Sequence, residues 1–325
     1  MRCPGLAELP PPPPGRTGWP WTVETPPLPA ARPDGSPWPR ISIVTSSYNQ
    51  GQFIEETIRS VLLQGYPGLE YIIIDGGSTD HSVEIIKKYA PWLTYWVSEK
   101  DRGQSHAISK GLAKSSGEIF QWINSDDALL PNALRDISTA FSGEAVAAPV
   151  SQGQTRTAAS INYNRNLSAR HILTGKITFA QPGLWLPRHR LVSIGFNENL
   201  HYAFDWDMVI RYLERYPKVT YIRPLVVFFR LHDGSKTIGR PEMFAKEEHL
   251  IRARLVHALS SPSDRAACRN AQHRINWARH LTEWRRKSEG AKFQIAIRML
   301  LLGLRNPRLR INRFWAGALR RTLFA

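Results

Sequence analysis

The chain of 325 residues carries 43 Lys and Arg against 27 Asp and Glu, a formal charge of +16, and 42% of it is hydrophobic. This is enough apolar material for one large domain or two small ones, and the charge calls for an anionic partner: nucleic acid, acidic lipid headgroups or a phosphorylated substrate. Only Cys3 and Cys268 are present, too few and too far apart for a disulfide framework or a cysteine zinc site, so a reducing cytosol is the simpler setting.

Residues 1–40 hold 13 of the 24 prolines. Such density forbids regular ladders, and the expectation is a disordered leader whose Trp19, Trp21 and Trp38 could dock on the body. The run into consecutive prolines has no apolar stretch of the kind an export signal requires.

From Ile41 short apolar strands alternate with amphipathic segments. Residues 41–45 read as a strand. Ile54, Ile58, Val61 and Leu62 then recur at helical spacing until Gly65 and Pro67 stop the helix. Residues 70–75 form a second strand, followed by a turn and a helix carrying Val83, Ile86 and Tyr89, with Asp80 as N-cap. A strand near 95–97, a helix over 104–114 and a buried strand over 119–123 complete a β-α-β-α succession, which predicts a mostly parallel sheet.

The strand at 119–123 delivers Asp126 and Asp127 to the sheet's C-terminal edge, where open α/β folds bind ligands. Beyond it the pattern predicts a helix over 131–141, a strand over 145–150 and a mobile polar loop over 151–168. A strand at 183–186, a helix over 205–216 and strands at 219–222 and 225–231 follow. Residues 241–325 hold 18 Lys and Arg against 6 Asp and Glu, +12 of the total. In 291–325 eight basic residues and no acids are interleaved with apolar and aromatic ones. This composition suits interfacial helices on an anionic membrane surface or a helical extension packed on the domain. The apolar run 295–304 is far short of the ~20 residues needed to span a bilayer.

Five motifs fall in order over the central segment: SIVTSSYN at 42–49, DGGSTD at 75–80, DRGQ at 101–104, SDD at 125–127 and FDWD at 204–207. Together they resemble the inverting family 2 glycosyltransferases. The resemblance implies a GT-A-type, Rossmann-like α/β domain over 41–240, a mostly parallel sheet flanked by helices, with a basic helical extension over 241–325. It implies a nucleotide-sugar donor (a UDP-sugar by default), a divalent metal (Mn or Mg) and an acceptor hydroxyl; the basic tail adds the expectation of a sugar or lipid-linked acceptor in envelope polysaccharide or glycolipid assembly at the inner face of the membrane.

Residue by residue, the resemblance assigns metal and diphosphate binding to Asp127, Asp126 and His232, with Asp127 the direct ligand and Asp126 nearer the ribose. Ser46, Tyr48, Asn49, Asp75, Arg102, Gln104 and Lys236 fall to the donor, Gln181 and Trp185 to the acceptor side. Many relatives have a second acid that reads the base where this chain has Gly76. The catalytic base is expected at Asp205, with Asp207 as runner-up. A single displacement needs one carboxylate to take the acceptor's proton and inverts the anomeric centre.

Two other classes compete. A nucleic-acid-binding protein could use the basic tail, but no reading motif accompanies it, and nucleic acid is not expected as a partner. A nucleotidyltransferase would carry a glycine-rich basic phosphate loop after the first strand, whereas residues 48–52 have one Gly and no Lys or Arg.

Overall fold

A computed structural model of the chain describes residues 3–156, 159–259 and 261–271, with Leu301 beyond them. Four strands make the parallel heart of the fold: β1 (Ile41–Ser47), β2 (Leu69–Asp75), β3 (Tyr95–Ser98) and β4 (Ile119–Trp122). They are linked through α1 (Ile54–Leu62), α2 (Ser82–Tyr89) and α3 (Gln104–Lys114). Every residue of β1, β2 and β4 is buried, as expected for parallel strands covered on both faces. On one face α3 lies so close to β1 that a Cβ at Gly111 would stand 2.4 Å from Val44 Cγ1, so only glycine fits there.

After β4 come β5 (Ala128–Leu129), α4 (Ala133–Ala140), β6 (Ala145–Ala147), β7 (Val150–Gly153), β8 (Ser160–Asn162) and α5 (Ala169–Leu173). Then follow β9 (Leu184–Pro187), α6 (Arg188–Ile194), α7 (Phe204–Arg215), β10 (Val219–Tyr221), β11 (Val227–Arg230), α8 (Lys236–Gly239) and α9 (Pro241–Leu255). The large sheet runs β10-β6-β9-β4-β1-β2-β3, with β9 antiparallel to both its neighbours, and a small sheet runs β5-β11-β7-β8. The predicted parallel α/β arrangement therefore holds over the central strands.

The expected mobile loop over 151–168 is corrected: β7 and β8 pair antiparallel there, Ser151 opposite Ile161, as part of the small sheet. Alternation of short polar residues hid these strands, which are held by ladder pairing, β7 on β11 and β8 on β7, more than by an apolar face.

The leader is also corrected. Residues 3–40 lack long regular elements, as their prolines require, but they are packed on the domain, with Cys3, Leu9 and Trp21 buried. The reason is Arg59 on α1, whose fully buried guanidinium donates to the carbonyls of Pro10 at 2.7 Å, Pro20 at 3.0 Å and Trp21 at 3.0 Å. A proline-rich backbone has carbonyls free of ladder bonds, and a buried cation must have such acceptors. Trp19 adds an indole N–H to the Leu129 carbonyl at 2.8 Å.

Residues 241–255, expected at the start of a separate extension, form α9 and belong to the same compact unit as the sheet, which runs to Arg265. The basic stretch 291–325 lies outside the described residues, Leu301 excepted. Among the described residues no helix is long and apolar enough to cross a membrane.

Candidate active site

The loops after β1 and β2 are tied to each other. Asn49, in the left-handed region at φ 51°, accepts the Thr79 N–H through Oδ1 at 2.9 Å, and its own N–H goes to Ser78 Oγ at 2.8 Å. The Gly51 N–H reaches Asp80 at 2.8 Å. Asp75 ends β2 fully buried, accepting from Gly77 N at 3.1 Å, Ser78 N at 2.8 Å, Ser78 Oγ at 2.6 Å and Ser98 Oγ at 2.7 Å. Expected to receive hydrogen bonds from the donor, these two residues are occupied in building the edge. Ser46 is buried beside them, and the Tyr48 ring is 61% exposed at the rim.

The turn after β4 is fixed from α1: Thr57 Oγ1 bonds the carbonyls of Ser125 at 2.9 Å and Asp127 at 2.6 Å. This turns Asp127 inward. Its Oδ1 accepts the Arg230 N–H at 3.0 Å and its Oδ2 the Asn124 amide at 3.1 Å. Burial pushes its carboxyl well above the ordinary range, and the adjacent Asp126 charge adds to the effect. Asp126 instead meets His232, with Oδ2 3.0 Å from Nε2.

The two acids are thus set apart: Asp126 faces His232, while both oxygens of Asp127 are engaged by the Arg230 N–H and the Asn124 amide. Among the described residues no three His, Cys, Asp or Glu side chains converge on one point. The separation of Asp126 and His232 nevertheless fits a cation: adjacent ligands about 2.1 Å from an octahedral ion stand about 3.0 Å apart. Two protein ligands completed by phosphate oxygens and water is the usual arrangement for such ions.

Arg230 binds this corner together. Its Nε donates to the Asp126 carbonyl at 3.0 Å and its Nη2 to Glu56 at 2.9 Å; Glu56 also pairs with Arg156. Glu56 is thus the anion between two arginines. A cavity of about 210 Å³, lined by Phe53, Gln154, Arg230, Leu231, His232 and Asp233, opens beside His232.

From Asp127 a chain of hydrogen bonds runs outward. Asn124 accepts from Gln104 Nε2 at 2.7 Å, and Gln104 Oε1 accepts from Lys236 Nζ at 3.0 Å. Lys236 is exposed to solvent. Partial desolvation of its ammonium lowers its pKa, while the charges of Glu247, Asp205, Asp101 and Asp126 oppose that shift. Its partners in the hydrogen bonds are neutral, the second being the His201 carbonyl at 3.0 Å, so the ammonium remains available to an anion. Arg102 turns away: its guanidinium, 69% exposed, pairs with Glu198 at 2.5 Å.

On the first turn of α7 the two candidate bases separate. Asp205 is half-buried, and its carboxyl is pushed up to about 7 by burial, opposed by backbone N–H donors, Trp206 N–H at 2.9 Å first among them. Asp207 is fully buried, held by Arg211 Nε at 2.9 Å and in contact with Arg254 of α9. Two positions along a helix swing a side chain by roughly 200°, so the runner-up base is corrected to a structural ion-pair residue. The turn itself is anchored by Glu247 of α9, whose carboxylate accepts the N–H groups of His201 at 2.9 Å, Tyr202 at 2.8 Å and Ala203 at 2.8 Å.

The acceptor-side expectations are also corrected. Trp185 is fully buried in the main core, and Gln181 donates to Gln121 at 3.0 Å and the Trp122 carbonyl at 3.1 Å inside the fold. The aromatic beside Asp205 is Trp206, against Phe179 at 5.9 Å and under Arg252.

This α/β domain, with carboxylates, a histidine and a lysine at the C-terminal edge of a mainly parallel sheet, has the GT-A fold of its solved neighbours. Residues 42–196 match Glycosyl transferase family 2. Over 186 residues the chain is 35% identical to an uncharacterized glycosyltransferase of Mycobacterium tuberculosis, covering 53% of this chain and 68% of that one. This chain belongs to the family 2 glycosyltransferases. It is also 28% identical over 219 residues to the chondroitin synthase of Escherichia coli, 65% of this chain but 32% of that one. Its fold resembles a mannosyltransferase of Pyrobaculum calidifontis, solved with GDP-Man and Mn2+ (TM-score 0.56, 18% identity, 88% and 87% of the two chains).

Proposed function

We propose that this protein transfers a sugar from a nucleotide-sugar donor to an acceptor hydroxyl by a single inverting displacement, with Asp205 as the base. One observation carries the reading: Lys236 stands in the field of Asp101, Asp126 and Asp205, acids from three separate motifs. Asp205 has the position and the proton affinity for its role. A carboxylate with a pKa near the working pH takes a proton from an alcohol more effectively than an ordinary one.

A divalent cation held by Asp126 and His232 would neutralise charge gathering on the departing diphosphate. Lys236, released from Gln104 and the His201 carbonyl, pairs with a phosphate oxygen, and Arg230 keeps the Asp126 turn in register. The donor is a UDP-sugar by default, and the acceptor a sugar or lipid-linked sugar of a polysaccharide or glycolipid. The similarity to a chondroitin synthase supports polysaccharide assembly.

The test is a donor screen with manganese or magnesium, following the product. Sugar transfer releases nucleoside diphosphate and yields the opposite anomer. Release of pyrophosphate would instead identify a nucleotidyltransferase, and retention of the anomeric configuration would remove Asp205 from its single-displacement role.

A further inference from the structure

One of the acids around Lys236 has a carboxylate oxygen that the reaction above does not use. Asp101 follows β3, and its Oδ1 accepts the Gly103 N–H at 2.7 Å, while its Oδ2 accepts no hydrogen bond among the described residues. That second oxygen rests against the bare backbone of Gly76. A Cβ at Gly76 would stand 2.7 Å from Asp101 Oδ2 and 3.4 Å from Tyr48 Cδ2. The missing side chain at buried Gly76 therefore lets Asp101 pack against its backbone, which sets an anionic acceptor beside the exposed Tyr48 ring. The adjacent Asp75 cannot substitute, since four protein donors already converge on its carboxylate.

An aromatic ring at a rim offers a stacking surface to any heterocycle, and a carboxylate beside it discriminates by hydrogen bonding, because it accepts and cannot donate. We propose that Asp101 reads the nucleobase of the donor, accepting a ring N–H from a base that lies against Tyr48 over Gly76. This rests on the nucleotide-sugar reading of the site. The ligand class is a base whose ring nitrogen bears a hydrogen next to a carbonyl. Uracil, at N3, and guanine, at N1, meet this requirement; cytosine and adenine present a lone pair at the equivalent ring nitrogen and face repulsion. Asp101 is thus a specificity-determining residue, carried by the loop after β3 in place of an acid at position 76.

The experiment is calorimetric titration of the full chain, with manganese present, by UDP, GDP, CDP, ADP and the ring-N-methylated form of whichever diphosphate binds best. The expected result is UDP or GDP at least about tenfold tighter than CDP and ADP, with a similar loss on N-methylation. Asp101→Asn keeps an oxygen for the Gly103 N–H but offers an amide to the base, so the preference collapses and CDP gains relative to UDP. The double variant Asp101→Gly with Gly76→Asp returns a carboxylate beside the Tyr48 ring and restores the preference. Indifference to N-methylation, a preference for CDP or ADP in the wild type, or an unchanged preference in Asp101→Asn overturns the assignment while leaving the enzyme a nucleotide binder. Failure of every diphosphate to bind the wild type overturns this proposal together with the function on which it rests.

Discussion

The loops after β1 and β2 share one sheet edge with the turn after β4, yet the two regions use their acids in opposite ways. Asp75 and Asp80 take hydrogen bonds from the N–H and hydroxyl groups of their own and adjoining loops. Among the described residues the Asp126 side chain meets one histidine, and Asp205 accepts only from backbone N–H groups at the start of its own helix. The number of protein donors on a carboxylate therefore separates acids that build the edge from acids that can act on a ligand. A saturated carboxylate has few lone pairs left and little freedom to move; one with few partners can still bind a cation or take a proton.

The sharpest way to break this comparison is Asp205→Asn. With the base gone, transfer should fall by about 10²–10⁴-fold while donor binding, measured by thermal shift, stays close to wild type. The wild-type rate should rise with pH and level off above about 7, because the protonated carboxyl below it cannot accept the acceptor's proton. The stability consequence has a definite sign. A carboxyl whose pKa is raised on folding binds its proton more tightly in the native state, so wild-type stability declines as pH rises from the ordinary carboxylate range toward 7. Asp205→Asn should flatten that decline, and a variant with normal transfer would move the base elsewhere.

A smaller effect is expected at the metal corner. His232→Ala leaves Asp126 without its partner and should weaken manganese binding by about tenfold or more, with transfer partly recovered at high manganese. Asp127→Asn should disturb the metal titration less, since its oxygens are already engaged by Arg230 and Asn124. The reverse order of effects would return Asp127 to the role of direct ligand.

The contrast also explains what the sequence could disclose. The strands β1, β2 and β4 were legible because burial on both faces requires nearly continuous apolar runs, and the motif acids were legible because each closes such a run. The division of labour between Asp126 and Asp127 was not, because it depends on Thr57 and Arg230, which lie far away in the chain. Asn124 could have been noticed, since it stands three residues before Asp127 and within the same turn. Glu247 had no local signal: its role comes from α9 crossing the start of α7, where three backbone N–H groups await an acceptor. The leader was misread because proline density reports the absence of ladders and says nothing of whether a buried arginine elsewhere requires the free carbonyls.

The smallest catalytic effect, and the most direct check on the donor-count rule, is expected at Asp207. Its carboxylate is fully buried between Arg211 and Arg254, and breaking a buried pair costs about 3–5 kcal/mol when both partners are enclosed. Both arginines here keep some exposure, 25% for Arg211 and 48% for Arg254, so solvent can take up part of the orphaned charge and the loss should be smaller. Asp207→Asn should therefore lower the denaturation midpoint with a stability loss of about 1–3 kcal/mol, and change the rate of the folded enzyme only a few-fold through the lean of α7 and the aim of Asp205. A variant that melts like wild type but no longer transfers sugar would make Asp207 the base, and a count of protein donors would then fail to tell scaffold acids from reactive ones.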